Sequence, residues 1–186
     1  MLTFLSIALQ YTVYTIYDMS TKKYIGIYSG SFDPIHEGHI SFAKEAMKVC
    51  RLDTIVFMPE RFPRGKPNVS PISERVTELE IALAETSFVV LNAHADQFTV
   101  DETLTELEVL YPDTVFTFLI GSDVALYLPN WENIGRLTSH FDFVVGMRAG
   151  DKKNAVDTAM KLVNARYSVI QTDLAHLSSK LFRGIH

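Results

Sequence analysis

The sequence predicts a single α/β domain, built on a doubly wound parallel sheet that helices cover on both faces. Three observations carry that expectation. Short, almost continuous apolar runs recur along the chain, as strands buried on both sides do. Segments with apolar residues at helical spacing separate them. No internal repeat, low-complexity run or linker interrupts the alternation. A length of 186 residues fits one such domain and is enough to bury a core.

Each element follows from its own pattern. Lys23–Tyr28 (KYIGIY) is a β-rich run that ends at Gly30. Ile40, Ala43, Met47 and Cys50 then recur at helical spacing, which predicts a helix over 38–50. Asp53–Met58 (DTIVFM) reads as a buried strand, followed by a Pro/Gly loop from Pro59 to Pro71. Ser73 to Thr86 reads as a helix with Ile72, Val76, Leu79 and Leu83 on one stripe. Phe88–Leu91 is a strand, Val100–Leu110 a helix, and Thr114–Ile120 (TVFTFLI) the most hydrophobic strand. A helix over 123–138 is interrupted at Pro129, because proline cannot donate to the helical ladder. Phe141–Met147, a helix over 152–165 and Tyr167–Thr172 continue the alternation, and a last helix begins near Ser178.

Composition narrows the function. Seventeen Lys and Arg against 22 Asp and Glu give a formal charge of −5, so no broad cationic surface exists to hold a nucleic acid. The lone cysteine, Cys50, excludes an internal disulfide framework and a Cys-based zinc cage; its helical neighbours make it a core thiol, which suits a reducing cytoplasm. Residues 1–17 are apolar and uncharged but lack a basic leader and a small-residue cleavage site. They also fall short of the roughly 20 residues of a membrane span. We read Met19 as the start of the domain proper (19–186) and residues 1–18 as an extension. An added strand and a membrane element are the competing readings of that segment.

In a doubly wound sheet ligands bind beyond the carboxyl ends of the strands. That rule directs attention to Gly30–His39, Pro59–Lys66, Gly121–Asp123 and the segment after Thr172. The first turn reads Gly-Ser-Phe-Asp-Pro-Ile-His-Glu-Gly-His from Gly30 to His39. Gly30 permits a tight departure from the strand and Gly38 a close approach of ligand or backbone. The following helix N-terminus offers unpaired N–H groups and a positive dipole end to an anion. His36 and His39, three apart, can present both rings to one point and stabilise charge developing on a phosphate. Two histidines without further ligands do not make a metal cage. Other phosphate motifs fail: GxGxxG is absent, and Glu60 stands where a P-loop ending at Lys66 needs its first glycine.

The turn GSFDPIHEGH resembles the T/HxGH signature of the nucleotidyltransferase superfamily. Further segments make the chain similar to the bacterial nicotinate-nucleotide adenylyltransferases. Pro63-Arg64-Gly65-Lys66 stands near their Pro-Pro-His-Lys loop, with Arg75 in the helix after it. FTVDETL (98–104) resembles their Ser-Tyr-Thr…Thr-Leu segment. Leu119–Asp123 with Leu128-Pro129-Asn130-Trp131 resembles Ile-Gly-Ala-Asp…Leu-Pro-x-Trp. FVVGMRAG (143–150) is similar to Val-Val-x-Arg-x-Gly, and residues 177–183 to Ile-Ser-Ser-Thr-x-Ile-Arg, with Lys180 in place of the threonine.

The resemblance implies a Rossmann-like nucleotidyltransferase fold and direct adenylyl transfer from ATP, with Mg²⁺, to nicotinate mononucleotide, giving nicotinate adenine dinucleotide and pyrophosphate. It implies His36 and His39 as the catalytic pair. Gly30, Ser31, Phe32, Gly38, Lys66, Gly121, Asp123, Ser178, Ser179 and Arg183 would bind the nucleotide. Thr99, Thr103, Trp131 and Arg148 would meet the acceptor. No resident metal site, nucleic-acid partner or stable membrane association is implied, and homo-oligomerisation stays open. Structural roles compete: Trp131 could cap the core, Asp123 could cap a helix, and Arg61, Arg64 and Lys66 could form a solvated loop. Arg75 reads as a surface or helix-pairing residue, and His94, His140, His176 and His186 as structural or solvated. A sister transferase acting on nicotinamide mononucleotide or another phosphorylated acceptor, and a non-catalytic nucleotide sensor, are the alternative functions.

Overall fold

The computed structural model describes residues 22–92, 96–148 and 150–171. Six parallel strands form one sheet in the order β3-β2-β1-β4-β5-β6. They are β1 (Lys23–Gly30), β2 (Thr54–Pro59), β3 (Val89–Val90), β4 (Thr114–Gly121), β5 (Phe141–Met147) and β6 (Tyr167–Gln171). The order runs outward from β1 in one direction, then returns to its other side at β4. Helices therefore wind onto both faces, and a crevice opens where β1 and β4 diverge. Register aligns the carboxyl ends: Gly30 lies beside Pro59, and Gly121 beside Gly146.

Strand alternation sends successive side chains to opposite layers. Helices α1 (Glu37–Cys50) and α2 (Ile72–Leu83) cover one face. There Phe42, Ala43, Ala46, Leu79 and Leu83 pack on Ile55, Phe57, Leu119, Val144 and Ile170. The other face holds α3 (Val100–Leu110), α4 (Ser122–Tyr127), α5 (Ile134–His140) and α6 (Lys153–Leu162). Their Leu104, Leu107, Ala125, Leu137, Val156 and Met160 pack on Ile27, Val56, Phe118, Phe143 and Val145. Cys50 is half-buried against the first of these layers.

Several elements end differently from the sequence expectation, each for a local reason. The first helix begins at Glu37 rather than 38, with His36 in extended backbone as its N-cap. The second ends at Leu83 rather than Thr86, where the Thr86 N–H and hydroxyl both donate to the Leu83 carbonyl. The helix expected over 123–138 is two: α4 gives way to a 3₁₀ turn at Leu128–Asn130 carrying Pro129, and Asn133 takes left-handed backbone (φ 55°) before α5. Left-handed Asn164 (φ 53°) lies just beyond α6 and stops it short of 165. Residues 1–18, Met19 and the helix expected near Ser178 lie outside the described residues. No described helix is long and apolar enough to cross a membrane.

Candidate active site

The β1–α1 turn enters the crevice where β1 and β4 part. Its special backbone falls at Phe32, which is left-handed (φ 44°) and buried, and not at Gly30. A Cβ on Gly30 would make only ordinary contact with the Phe32 ring, at 3.5 Å. A bulky residue held in left-handed backbone is strained, and such strain survives only where the surroundings fix it. Here Tyr28, Phe57 and His39 surround the Phe32 ring. Gly38 sits inside the first turn of α1, partly buried.

His36 and His39 stack, with ring centroids 3.7 Å apart and planes 26° from parallel. The His36 N–H donates to His39 Nδ1 at 3.3 Å. An acceptor at Nδ1 leaves the proton of a neutral His39 on Nε2, a donor available to a ligand. Burial, then the neighbouring His36, Lys66 and Arg148 charges, push His39 down to about 3. Burial and the charges of Arg148 and Lys66 lower His36 as well. The pair is therefore neutral at pH 7, in a positive field that favours an anion.

Cations ring this pair. Lys66 Nζ donates to Ser31 Oγ at 2.6 Å, which brings the Pro59–Pro71 loop onto the turn. Across the crevice, Gly121 ends β4 close to the Asp123 carboxylate. A Cβ there would stand 2.5 Å from Asp123 Oδ1 and 4.0 Å from an Arg148 nitrogen. Asp123 Oδ1 accepts the Val124 N–H (3.0 Å), and its other oxygen faces Arg148 at 3.6 Å. Both partners of that ion pair are exposed, so it holds weakly and can open.

On the other side of β1 a small pocket lies between Ser29, Met58–Glu60, Gln97–Phe98 and Thr103. Thr103 is buried and accepts the Thr99 N–H at 3.0 Å. Thr99 is the N-cap of α3, and its hydroxyl turns to Glu102 (3.3 Å) rather than lining the pocket. Trp131 packs on Phe98 and Phe118, with the Arg64 guanidinium 5.8 Å over its ring. Arg64 also donates to the Phe98 carbonyl (2.9 Å), so the basic loop is anchored and not merely solvated. Ser178, Ser179 and Arg183 lie outside the described residues, as do His94, His176 and His186.

Four residues gain roles that sequence reasoning missed. Arg75 is fully buried, which corrects the surface placement. Its guanidinium donates to the carbonyls of Ser31 (2.6 Å), Ser70 (2.8 Å) and Arg61 (3.3 Å), tying the loop to the β1–α1 turn. Burial works against its charge, and Asp33 and Glu60 support it. Positions 75, 79 and 83 share one buried stripe, and that spacing was the available signal. Glu60 receives the Ser29 hydroxyl (3.0 Å) and the Phe98 N–H, and burial pushes its carboxyl upward. Asp151 joins the ends of β4 and β5 by accepting from the Ser122 hydroxyl and the Arg148 N–H. Tyr28 lies against His39, and burial raises its phenol. Among the described residues no three His, Cys, Asp or Glu cluster as a metal cage.

Comparisons with known proteins agree with this fold. Residues 27–183 match the family described as cytidylyltransferase-like. A relative from Geobacillus thermodenitrificans, named a probable nicotinate-nucleotide adenylyltransferase, is 37% identical over 133 residues, 68% of this chain and 61% of that protein. One of the same name from Bacillus licheniformis is 34% identical over 166 residues, 86% of this chain and 83% of its own. Among solved structures, the Plasmodium falciparum nicotinic acid mononucleotide adenylyltransferase complexed with NaAD aligns with a TM-score of 0.73 at 22% identity. That alignment covers 87% of this chain and 83% of that one. The chain belongs to the cytidylyltransferase-like family and, within it, to the nicotinate-nucleotide adenylyltransferases.

Proposed function

We propose that the chain transfers the adenylyl group of ATP to nicotinate mononucleotide, producing nicotinate adenine dinucleotide and pyrophosphate in the cytoplasm. The observation that carries this reading is the stacked His36–His39 pair at the N-terminus of α1, inside the crevice between β1 and β4. Family membership supports the substrates.

An oxygen of the acceptor's phosphate forms a bond to the α-phosphorus of ATP. The bond from that phosphorus to the bridging oxygen breaks, and its electron pair leaves with pyrophosphate. Reactants and product are anions, so positioning and charge stabilisation account for most of the barrier lowering. Mg²⁺ enters with ATP as part of the substrate and neutralises the leaving pyrophosphate. The His39 Nε2–H and the His36 ring bind the α-phosphate region, and Ser31 and Lys66 hold the outer phosphates. Gly38 and the α1 N-terminus supply main-chain donors. Asp123 takes ribose hydroxyls across Gly121, Arg148 swings from Asp123 to phosphate, and Thr103 and Trp131 border the acceptor. Ser178, Ser179 and Arg183 complete the triphosphate site in this reading. Incubation with Mg-ATP and nicotinate mononucleotide should release pyrophosphate in step with dinucleotide; absence of release contradicts the proposal.

A further inference from the structure

The Pro59–Pro71 loop reverses at its tip. Pro63, Arg64, Gly65 and Lys66 make a β-turn, closed by the Lys66 N–H donating to the Pro63 carbonyl at 3.2 Å. Gly65, at the third position, has φ 70°, the left-handed value that favours glycine there. The two cations beside this glycine reach different elements. Lys66 Nζ donates to Ser31 Oγ in the β1–α1 turn at 2.6 Å. Arg64 instead donates to the Phe98 carbonyl at 2.9 Å, just ahead of α3, and its guanidinium lies 5.8 Å over the Trp131 ring, just ahead of α5. Phe98 is buried in the apolar layer under α3 to α6, and Trp131 packs against that layer.

Other tethers hold the loop on either side of the tip, at Arg61, Phe62 and Ser70. A lysine on a flexible four-carbon stem loses much rotamer freedom when it grips a phosphate, and a mobile backbone adds to that loss. A planar guanidinium fixed at once by a carbonyl and an aromatic face lowers the loss, because it immobilises the turn beforehand. Resting on the reading that Lys66 holds the outer phosphates, we propose that Arg64 is a positioning residue for the triphosphate of ATP. It touches no phosphate itself. It pins the turn to the Phe98–Trp131 wall, and so aims Lys66 at the β1–α1 turn before the nucleotide arrives.

The test is a double-mutant cycle on the full chain: wild type, Arg64→Met, Lys66→Met and the double variant, with Arg64→Lys beside them. Arg64 is exposed, so its substitution leaves the core intact. Calorimetric Kd for Mg-ATP, and KM and kcat for pyrophosphate release, are measured for each. Arg64→Met should raise Kd and KM for ATP about five- to tenfold with kcat little changed. In the Lys66→Met background the same substitution should change Kd less than about twofold, since its route to the phosphates is gone. Arg64→Lys, which keeps a cation for the ring but not the planar fork, should recover part of the loss. Emission from Trp131, the only tryptophan in the chain, should change in Arg64→Met and so report loss of the ring contact. Losses that simply add in the double variant overturn the inference, because Arg64 would then act independently of Lys66. Unchanged ATP affinity in Arg64→Met overturns it too, while leaving adenylyl transfer standing. A wild type that shows the coupling in Mg-ATP binding yet releases no pyrophosphate supports the positioning role and contradicts adenylyl transfer. One that does not bind Mg-ATP overturns both.

Discussion

His39 shows how far a few ångströms of surroundings can move one group. Its folded pKa of about 3 lies below the ordinary 6.5, so below pH 6.5 the unfolded chain takes up the proton first. The stability that neutral His39 contributes is complete above about pH 6.5 and is lost as pH falls from there toward 3. Urea unfolding should show a lower free energy at pH 5 than at pH 7, and His39→Gln should shrink that difference. An equal difference in the variant would assign the loss to other groups. Mg-ATP reverses the field, because phosphate oxygens favour the charged ring. NMR titration should therefore find the His36 and His39 pKa values raised in the nucleotide complex, and rings that titrate identically with and without nucleotide would contradict the placement.

At the scale of elements, two connections set the crevice. Arg75 of α2 fastens the Pro59–Pro71 loop to the β1–α1 turn through three carbonyls. Arg75→Ala leaves the buried Ser31 carbonyl without this donor, unties the loop at Ser70 and Arg61, and removes a supporting charge from Asp33 and Glu60. It should cost about 3 kcal/mol or more in chemical denaturation. Arg75→Lys should keep the fold yet raise KM for ATP more than it lowers kcat, because Lys66 loses its support. In the β4–α4 turn, Gly121→Ala drives a methyl into Asp123 and should raise KM for ATP roughly tenfold, the loss of about one charged hydrogen bond. The strands were legible because a strand buried on both faces is almost continuously apolar, as TVFTFLI is apart from Thr114 and Thr117. The split of the 123–138 helix was half legible: Pro129 announces a break, but the left-handed backbone of Asn133 has no periodic signal. Arg75 and Glu60 were missed for a related reason. A charged residue next to an apolar pattern reads as solvated until its partners, distant in sequence, are seen around it.

For the molecule as a whole, one sheet separates two apolar layers and leaves its carboxyl edge to chemistry. Phe143, buried in the layer under α3 to α6, contacts Phe118 and no group of the His pair. Phe143→Ala should cost about 3–5 kcal/mol in denaturation while leaving kcat/KM unchanged below its melting point. The strand order brings the turn after β1 and the turn after β4 to face each other. Motif spacing alone could place His36 and His39 on one helix start, but not opposite Asp123 and Arg148. The central claim is that this histidine pair stabilises charge at the α-phosphorus. Pyrophosphate release by folded His39→Ala, with Mg-ATP and nicotinate mononucleotide, tests it most directly. A fall in kcat of about a hundredfold or more, with ATP affinity little changed, is the expected result; undiminished turnover would contradict the account.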